Sequence, residues 1–233
     1  VSCLQGGPDV IVEGQLKLLE MARRAGARRF IPSDYSFDLF ALSEGANPNS
    51  DWRRAFARQA GSAAGDTQVV HVLNGCFLDM GVLFGFLGAF DLREGTMALW
   101  GDGTAPMDFT TYRDTARFTA LAATESDVPE RFAVAGDTLD FWQLRSVLES
   151  ASGRSFEVRR MGELSDLDRT IAERQAAQPE NIYAYLPLMY WRAMLNGSGK
   201  LGELVNARFP SVRPTTVESY VREHRDAFQP ARS

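Results

Sequence analysis

The chain has 233 residues, of which 45% are hydrophobic and 24% charged, and its formal net charge is -5. These values are typical of a globular protein with one large domain or two interlocked ones, and an acidic chain whose arginines are scattered among carboxylates is not expected to bind nucleic acid. The residues contain no apolar run long enough to cross a membrane and no basic-then-apolar leader, so a cytoplasmic location without membrane attachment is expected.

The first 35 residues predict a strand, a helix and a second strand. Residues 1–4 form a strand-like start and residues 5–8 a turn, and an amphipathic stripe then predicts a helix over residues 9–25. A short strand at residues 29–31 is followed by a polar turn at residues 32–35. Because ligands of parallel α/β sheets bind beyond the carboxyl ends of the strands, the two turns are the first candidate binding positions.

A third strand is predicted at residues 67–73, which are apolar and β-branched on both faces. It leads into the segment Asn74–Gly75–Cys76–Phe77. Residues 42–50 are rich in Gly, Asn, Pro and Ser and are expected to form a mobile loop at the mouth of the crevice. A helix over residues 51–64 follows, with Ser50 or Asp51 as its expected cap.

The downstream half alternates apolar helices with short strands. The predicted elements are an apolar helix over 77–90, a hairpin of strands 97–100 and 107–110, a helix over 112–123, a strand over 132–135, a helix over 141–152, a strand over 156–159, helical or irregular chain over 164–195, and a helix over 216–228.

The cysteines and histidines give little sign of a metal site or a disulfide. Cys3 and Cys76 are placed at strands about 10 Å apart, which is too far for a disulfide. The chain has two histidines and no CxxC or HExxH spacing, so no metal site is expected. His71 lies on a buried strand and is interpreted as a core histidine, with a general base as the alternative.

Several segments together resemble the NmrA-like family. These atypical short-chain dehydrogenases include isoflavone reductases, phenylcoumaran benzylic ether reductases and redox-sensing regulators. The resemblance extends over nearly the whole chain and rests on residues 1–7, 26–35 with the run Arg-Phe-Ile-Pro-Ser, 74–77, 100–103, 109–111 and 114–116.

The resemblance implies an α/β fold, namely a Rossmann-type parallel sheet lacking its first strands, with a smaller α+β substrate-side region. Residues 1–76 would form the C-terminal half of the NAD(P)-binding domain. Residues 77–233 would form the substrate-side region, with about 112–136 returning to the Rossmann sheet. A chain without those first strands would expose an unpaired sheet edge, so it is expected to aggregate or dimerise unless an upstream segment completes it.

The glycine-rich dinucleotide loop of the family has no counterpart in the expected place. A GxGxxG pattern occurs at residues 197–202, but a helical segment rather than a strand precedes it. Pyrophosphate binding requires a strand, a tight turn and a helix N-terminus. The pattern is therefore interpreted as a loop.

The resemblance also implies which residues contact the cofactor. It favours NADP (NADPH) over NAD, although the residues of this chain do not themselves decide between the two cofactors. Gly75 would allow close backbone approach to the nicotinamide. The alternative for these positions is a structural turn or a helix cap. The implied cofactor-binding residues are Leu4, Gln5, Gly6, Pro32, Ser33, Asn74, Gly75, Cys76 and Phe77.

Catalytic residues are harder to place. No tyrosine has a lysine four residues later, as ordinary short-chain dehydrogenases require, and the helix that carries a lysine in the NmrA-like reductases has Trp52–Arg53–Arg54 instead. Arg54 is the nearest counterpart. Arginine does not give up a proton near neutrality, so a hydroxyl such as that of Tyr35 or Ser33, or water, would supply it. The alternative is a solvated helix face whose arginines form ion pairs.

The leading hypothesis is an NAD(P)-dependent oxidoreductase that transfers hydride to a small, aromatic or carbonyl-bearing molecule. The rival is a non-catalytic redox sensor that binds NAD(P) and acts through a protein partner, and a third possibility is that this chain binds no dinucleotide. Assembly of two copies of the chain into a homodimer is the alternative to a regulatory protein partner. Aromatic side chains at positions 183, 185, 190 and 191 either pack a core or line a pocket for an aromatic substrate.

Overall fold

The structure is a computed structural model that describes residues 1–230. Its strands are β1 (Arg29–Phe30), β2 (Gln68–Val69), β3 (His71–Leu73), β4 (Cys76–Phe77), β5 (Phe90–Asp91), β6 (Thr96–Trp100), β7 (Met107–Thr110), β8 (Arg131–Ala133), β9 (Asp137–Leu139) and β10 (Glu157–Gly162). Its α-helices are α1 (Gln15–Arg24), α2 (Pro48–Ala63), α3 (Tyr112–Thr124), α4 (Phe141–Ser152), α5 (Leu164–Ala177), α6 (Leu186–Leu195) and α7 (Val217–Glu223).

Parallel strands form the centre of the α/β region. β1 pairs with β2 in parallel, and β3 pairs in parallel with β8. Only Val70 separates β2 from β3, so residues 68–73 behave as one strand that has β1 on one side and β8 on the other. The predicted α/β fold with a parallel sheet is confirmed.

The first residues follow the predicted path with two differences. Residues 1–4 are extended beside β1, where the Ser2 N–H donates to Ile31 O at 2.8 Å, but they do not form a regular strand. The predicted helix over residues 9–25 begins as a π-helical turn, Asp9–Gly14, and continues as α1. Buried Gln15 joins this helix to the turn after β1, because its Oε1 accepts the Ser33 N–H at 2.7 Å.

The predicted apolar helix over residues 77–90 is wrong. Its first residue belongs to β4, its last to β5, and a single π-helical turn, Val82–Phe86, lies between them. Gly88, with φ of +66°, ends that turn in the left-handed region. The glycines in this segment therefore prevent a continuous helix.

The predicted hairpin of residues 97–100 and 107–110 is also wrong. β6 lies between β10, which is parallel to it, and β5, which is antiparallel. β7 lies between parallel β4 and antiparallel β9. Both strands are almost completely buried, and apart from the local β5–β6 hairpin their neighbours come from distant chain segments.

The helices α2, α3 and α4 lie close to their predicted positions. α2 begins earlier than expected, at Pro48, because Asn47 caps it by accepting the Ser50 N–H at 3.2 Å. α3 packs Phe118 against β3 and β8 in one buried cluster, and a second, larger cluster surrounds Trp191 of α6. The division of the chain at residue 76 stays a prediction.

Candidate ligand-binding site

A cavity of about 720 Å³ opens beyond the carboxyl ends of β1 and β3, where a parallel α/β sheet binds its ligands. This volume lies in the range of small-molecule sites. Its wall consists of Val1, Cys3, Leu4, Gln5, Ser33, Asp34, Tyr35, Ser36, Phe37, Asn49, Arg53, Gly75, Cys76, Phe77, Gly81, Val82, Phe86, Leu87, Tyr112, Thr115, Ala116, Thr119, Tyr183, Leu186, Tyr190 and Met194.

The structure brings most of the residues singled out from the sequence to this cavity. The ones on its wall are Leu4, Gln5, Ser33, Tyr35, Gly75, Cys76 and Phe77. The ones that do not line it are Gly6, Pro32, Asn74 and Arg54. The three chain segments named by the resemblance therefore meet in space, since they follow residues 1–4, β1 and β3.

Arg54 lies away from the cavity and fastens the loop that precedes α2. Its Nη1 donates to the carbonyl oxygens of Leu39, at 3.1 Å, and Leu42, while Nη2 donates to Ser43 O at 3.2 Å. Nη2 also forms an ion pair with Asp51. These contacts agree with the ion-pair alternative.

Arg53 is the arginine that reaches the cavity wall. Its Nε donates to Ser33 O at 2.9 Å and its Nη1 to Asn49 O at 3.0 Å, which fixes the plane of the guanidinium. Asn49, one helical turn earlier, also lines the cavity. Residues four apart share a helix face, so Arg53 and Asn49 reach the cavity together, but the sequence alone did not show which face of the helix would do so.

Tyr35 occupies a strained position on the wall. It has a φ of +34°, rare for a residue other than glycine, and its N–H donates to Val72 O at 3.2 Å. Its hydroxyl is buried and makes no hydrogen bond to residues 1–230. Burial and the neighbouring Cys3 raise the pKa of this hydroxyl above its ordinary value, so at neutral pH it keeps its proton and can donate a hydrogen bond.

His71 and Asp34 form a buried pair behind the wall. The distance from His71 Nδ1 to Asp34 Oδ2 is 2.5 Å, and the exposed fractions of the two side chains are 3% and 0%. The His71 ring packs edge-on against Phe40 with centroids 5.0 Å apart. His71 does not line the cavity, which favours the core histidine over the general base.

Gly75 has a structural role, and the approach of a cofactor to it stays a prediction. Its φ is +68°, and a Cβ at this position would lie 2.3 Å from Asp108 O of β7. The absent side chain thus allows β7 to approach. Neighbouring Asn74 is fully buried, with both of its amide atoms lacking a hydrogen bond among the described residues.

The aromatic residues near the C-terminal half divide between core and cavity. Tyr185 and Trp191 are buried, whereas Tyr183 is 59% exposed and, with half-buried Tyr190, lines the cavity. The ring of Tyr190 packs on that of Phe37 at 5.2 Å.

The GxGxxG pattern at residues 197–202 is a loop, as predicted. A Cβ at Gly199 would lie 2.9 Å from the Phe37 ring, so this glycine allows the loop to pack behind a cavity residue. The adjacent Lys200 Nζ pairs with Asp108 Oδ1 at 2.9 Å and does not line the cavity.

Cys3 and Cys76 are both free thiols on the cavity wall, and they should react very differently. Cys3 is exposed, whereas burial and Asp79 raise the pKa of Cys76 to about 12, which leaves almost no thiolate at pH 8. We expect iodoacetamide at pH 8 to label one cysteine in the folded chain and two in urea, as counted by mass spectrometry. Rapid labelling of Cys76 in the folded chain would contradict this arrangement.

Within residues 1–230, no helix combines the length and the apolar character needed to cross a membrane. Over the same residues, no three His, Cys, Asp or Glu side chains cluster as they would around a metal ion.

Fold and cavity together define a Rossmann-type α/β protein. No family model matches the chain, and no curated protein matches its sequence. Solved structures do match: leucoanthocyanidin reductase from Vitis vinifera in complex with NADPH is 16% identical, with a TM-score of 0.72 over 95% of this chain and 76% of that one. An isoflavone reductase is 19% identical, with a TM-score of 0.72 over 91% of this chain and 71% of its own.

A third structure, solved with NADP+ and (+)-pinoresinol, is 18% identical and has a TM-score of 0.75 over 95% of this chain and 73% of that one. The chain therefore shares the fold of these reductases, and the resemblance is confirmed at the level of the fold.

Proposed function

We propose that this protein is an NADPH-dependent oxidoreductase that reduces a small carbonyl-bearing or aromatic molecule. The observation that carries the proposal is the convergence of Leu4–Gln5, Ser33–Tyr35 and Gly75–Phe77 on one cavity at the carboxyl ends of the strands. Structures with this fold hold NADPH, or NADP+ with (+)-pinoresinol, which supports NADPH as the cofactor.

The cavity wall fits a nicotinamide ring. Two buried hydroxyls on the wall, Tyr35 OH and Thr115 Oγ1, make no hydrogen bond within residues 1–230. Buried polar groups are normally paired, so a ligand with polar atoms would satisfy them. Leu4, Cys76 and Phe77 offer an apolar surface for a flat ring. When bound, NADPH supplies the hydride that adds to a carbonyl carbon.

Two polar groups on the wall then have definite tasks. Arg53, held by two backbone carbonyls, orients the substrate through its remaining donors. Tyr35 donates a hydrogen bond to the carbonyl oxygen that is reduced, and the proton that completes the reduction comes from Tyr35 or from water. The proposal thus replaces Arg54 with Arg53 as the cation of the site and retains Tyr35.

The first test is a thermal melt with and without NADPH. A ligand that binds only the folded state, present at a hundredfold excess over its dissociation constant, stabilises it by about 2.7 kcal/mol. We expect a rise in melting temperature with NADPH and consumption of NADPH, followed at 340 nm, when aromatic enones or quinones are added. An unchanged melting temperature in the presence of NADPH would contradict the proposal.

Arg53→Ala should lower kcat/KM for that reduction by about 10²-fold, because a substrate that is no longer held in the reactive orientation typically loses that much. Arg58→Ala is the matched control, since Arg58 is an exposed arginine of the same helix that does not line the cavity. Arg54→Ala should instead loosen the loop at residues 39–43 and lower the melting temperature. Equal rates for Arg53→Ala and Arg58→Ala would exclude a role for Arg53.

The second candidate is a redox sensor that binds NAD(P) and acts through a protein partner. The observation that favours it is the absence of lysine from α2, because arginine cannot replace lysine as a proton donor. The two candidates separate in one experiment. A sensor would show the NADPH-dependent rise in melting temperature without turnover of any carbonyl compound.

A further inference from the structure

The charge balance of the cavity points to a feature of the substrate. Of the Asp, Glu, Lys and Arg residues within residues 1–230, two line the cavity, Arg53 and Asp34. Asp34 is fully buried against His71, so its carboxylate is not available to Arg53 or to a ligand. No Asp or Glu of residues 1–230 lies within 4.0 Å of the Arg53 guanidinium.

The guanidinium also retains unused donors. Its Nε and Nη1 bind the carbonyls of Ser33 and Asn49, whereas Nη2 has no hydrogen-bond partner among the described residues. Two backbone contacts fix the plane in advance, so a ligand that binds Nη2 need not order the side chain. A planar cation of this kind matches the two oxygens of a carboxylate.

The position of Arg53 favours the substrate over the cofactor as the source of the anion. Asn49, whose carbonyl holds Arg53, donates through Nδ2 to Tyr190 OH at 3.4 Å. Tyr190 belongs to α6, which lies far along the chain from the segments assigned to the cofactor. Phe86 packs its ring at 6.0 Å from that of Tyr190 and also lines the cavity. Arg53 is thus linked through Asn49 to an aromatic part of the cavity wall.

We infer that Arg53 is the carboxylate-binding residue of the substrate site, and that the protein prefers aromatic substrates bearing a carboxylate over uncharged analogues of the same shape. This inference rests on the proposed function, because it assigns the substrate class of the same cavity. It predicts a selectivity that the fold alone does not require.

The test compares matched pairs of probes on the full chain. Binding of benzoate and of benzamide is measured by calorimetry with and without NADPH, and reduction of 4-formylbenzoate and of its methyl ester is followed at 340 nm. The carboxylate member should be preferred by about 10- to 100-fold, the range expected for a hydrogen bond to a charged group. Arg53→Gln should abolish the preference, whereas Arg53→Lys should retain part of it and Arg58→Gln all of it.

Each outcome decides one claim. Equal affinity for benzoate and benzamide in the unmodified chain, or a preference that persists in Arg53→Gln, overturns the inference. So does an Arg53→Gln variant that loses NADPH affinity and keeps the benzoate preference, because Arg53 would then serve a cofactor phosphate. Reduction of both aldehydes at equal rates overturns the inference and leaves the proposed function intact. Benzoate binding that depends on Arg53, without any NADPH binding, overturns the proposed function and leaves the carboxylate preference of Arg53 intact.

Discussion

Gly75→Ala is expected to destabilise the chain by about 2–5 kcal/mol. The positive φ of +68° costs an alanine about 1–2 kcal/mol. The added Cβ would also lie 2.3 Å from the carbonyl oxygen of Asp108, so the backbone of β7 must shift, which costs about 1–3 kcal/mol more. Urea unfolding followed by tryptophan fluorescence measures the loss.

Gly26→Ala is the matched control for this prediction. Gly26 has a φ of +75°, but a Cβ there would meet nothing within 4 Å. The control should therefore show only the conformational cost of about 1–2 kcal/mol. If both variants lost the same stability, β7 would not pack on Gly75 as the structure has it.

The positions of the helices could be predicted from the sequence, whereas the pairing of the strands could not. Local patterns located α1, α3 and α4 well, because helical periodicity and capping residues lie within one segment. Strand pairing depends on residues far apart in the chain. β6 pairs with the distant β10 and forms its hairpin with the preceding β5 rather than with the following β7, and no local pattern in residues 97–110 specifies that choice.

Residues of the candidate site that directly follow a strand could be predicted from the sequence. Residues whose place in the site depends on the direction of a helix side chain could not. The turns after β1 and β3 were expected at one crevice, and Ser33, Tyr35, Gly75, Cys76 and Phe77 do line one cavity. The choice between Arg53 and Arg54 depended on which face of α2 points to the cavity. That face follows from the loop at residues 39–43, whose carbonyls bind Arg54, and such irregular structure has no periodic signal.

His71→Ala is expected to cost about 3–5 kcal/mol, because it leaves the Asp34 carboxylate buried without its partner. Asp34 Oδ1 already lacks a hydrogen bond within residues 1–230, so the carboxylate would then have neither oxygen paired. The urea concentration at the midpoint of unfolding should therefore fall. His224→Ala, at the other histidine, should change stability by less than about 1 kcal/mol, since His224 is half-buried and packs on Tyr220 near the surface.

A double-mutant cycle separates the pair from simple loss of packing. Asp34→Ala and His71→Ala each leave one buried polar partner, whereas the double variant leaves none, so it should cost less than the sum of the single variants. Additivity within about 0.5 kcal/mol would mean that the two side chains do not interact. Because Asp34 lies between Ser33 and Tyr35, which line the cavity, the single variants should also weaken NADPH binding by displacing these two neighbours.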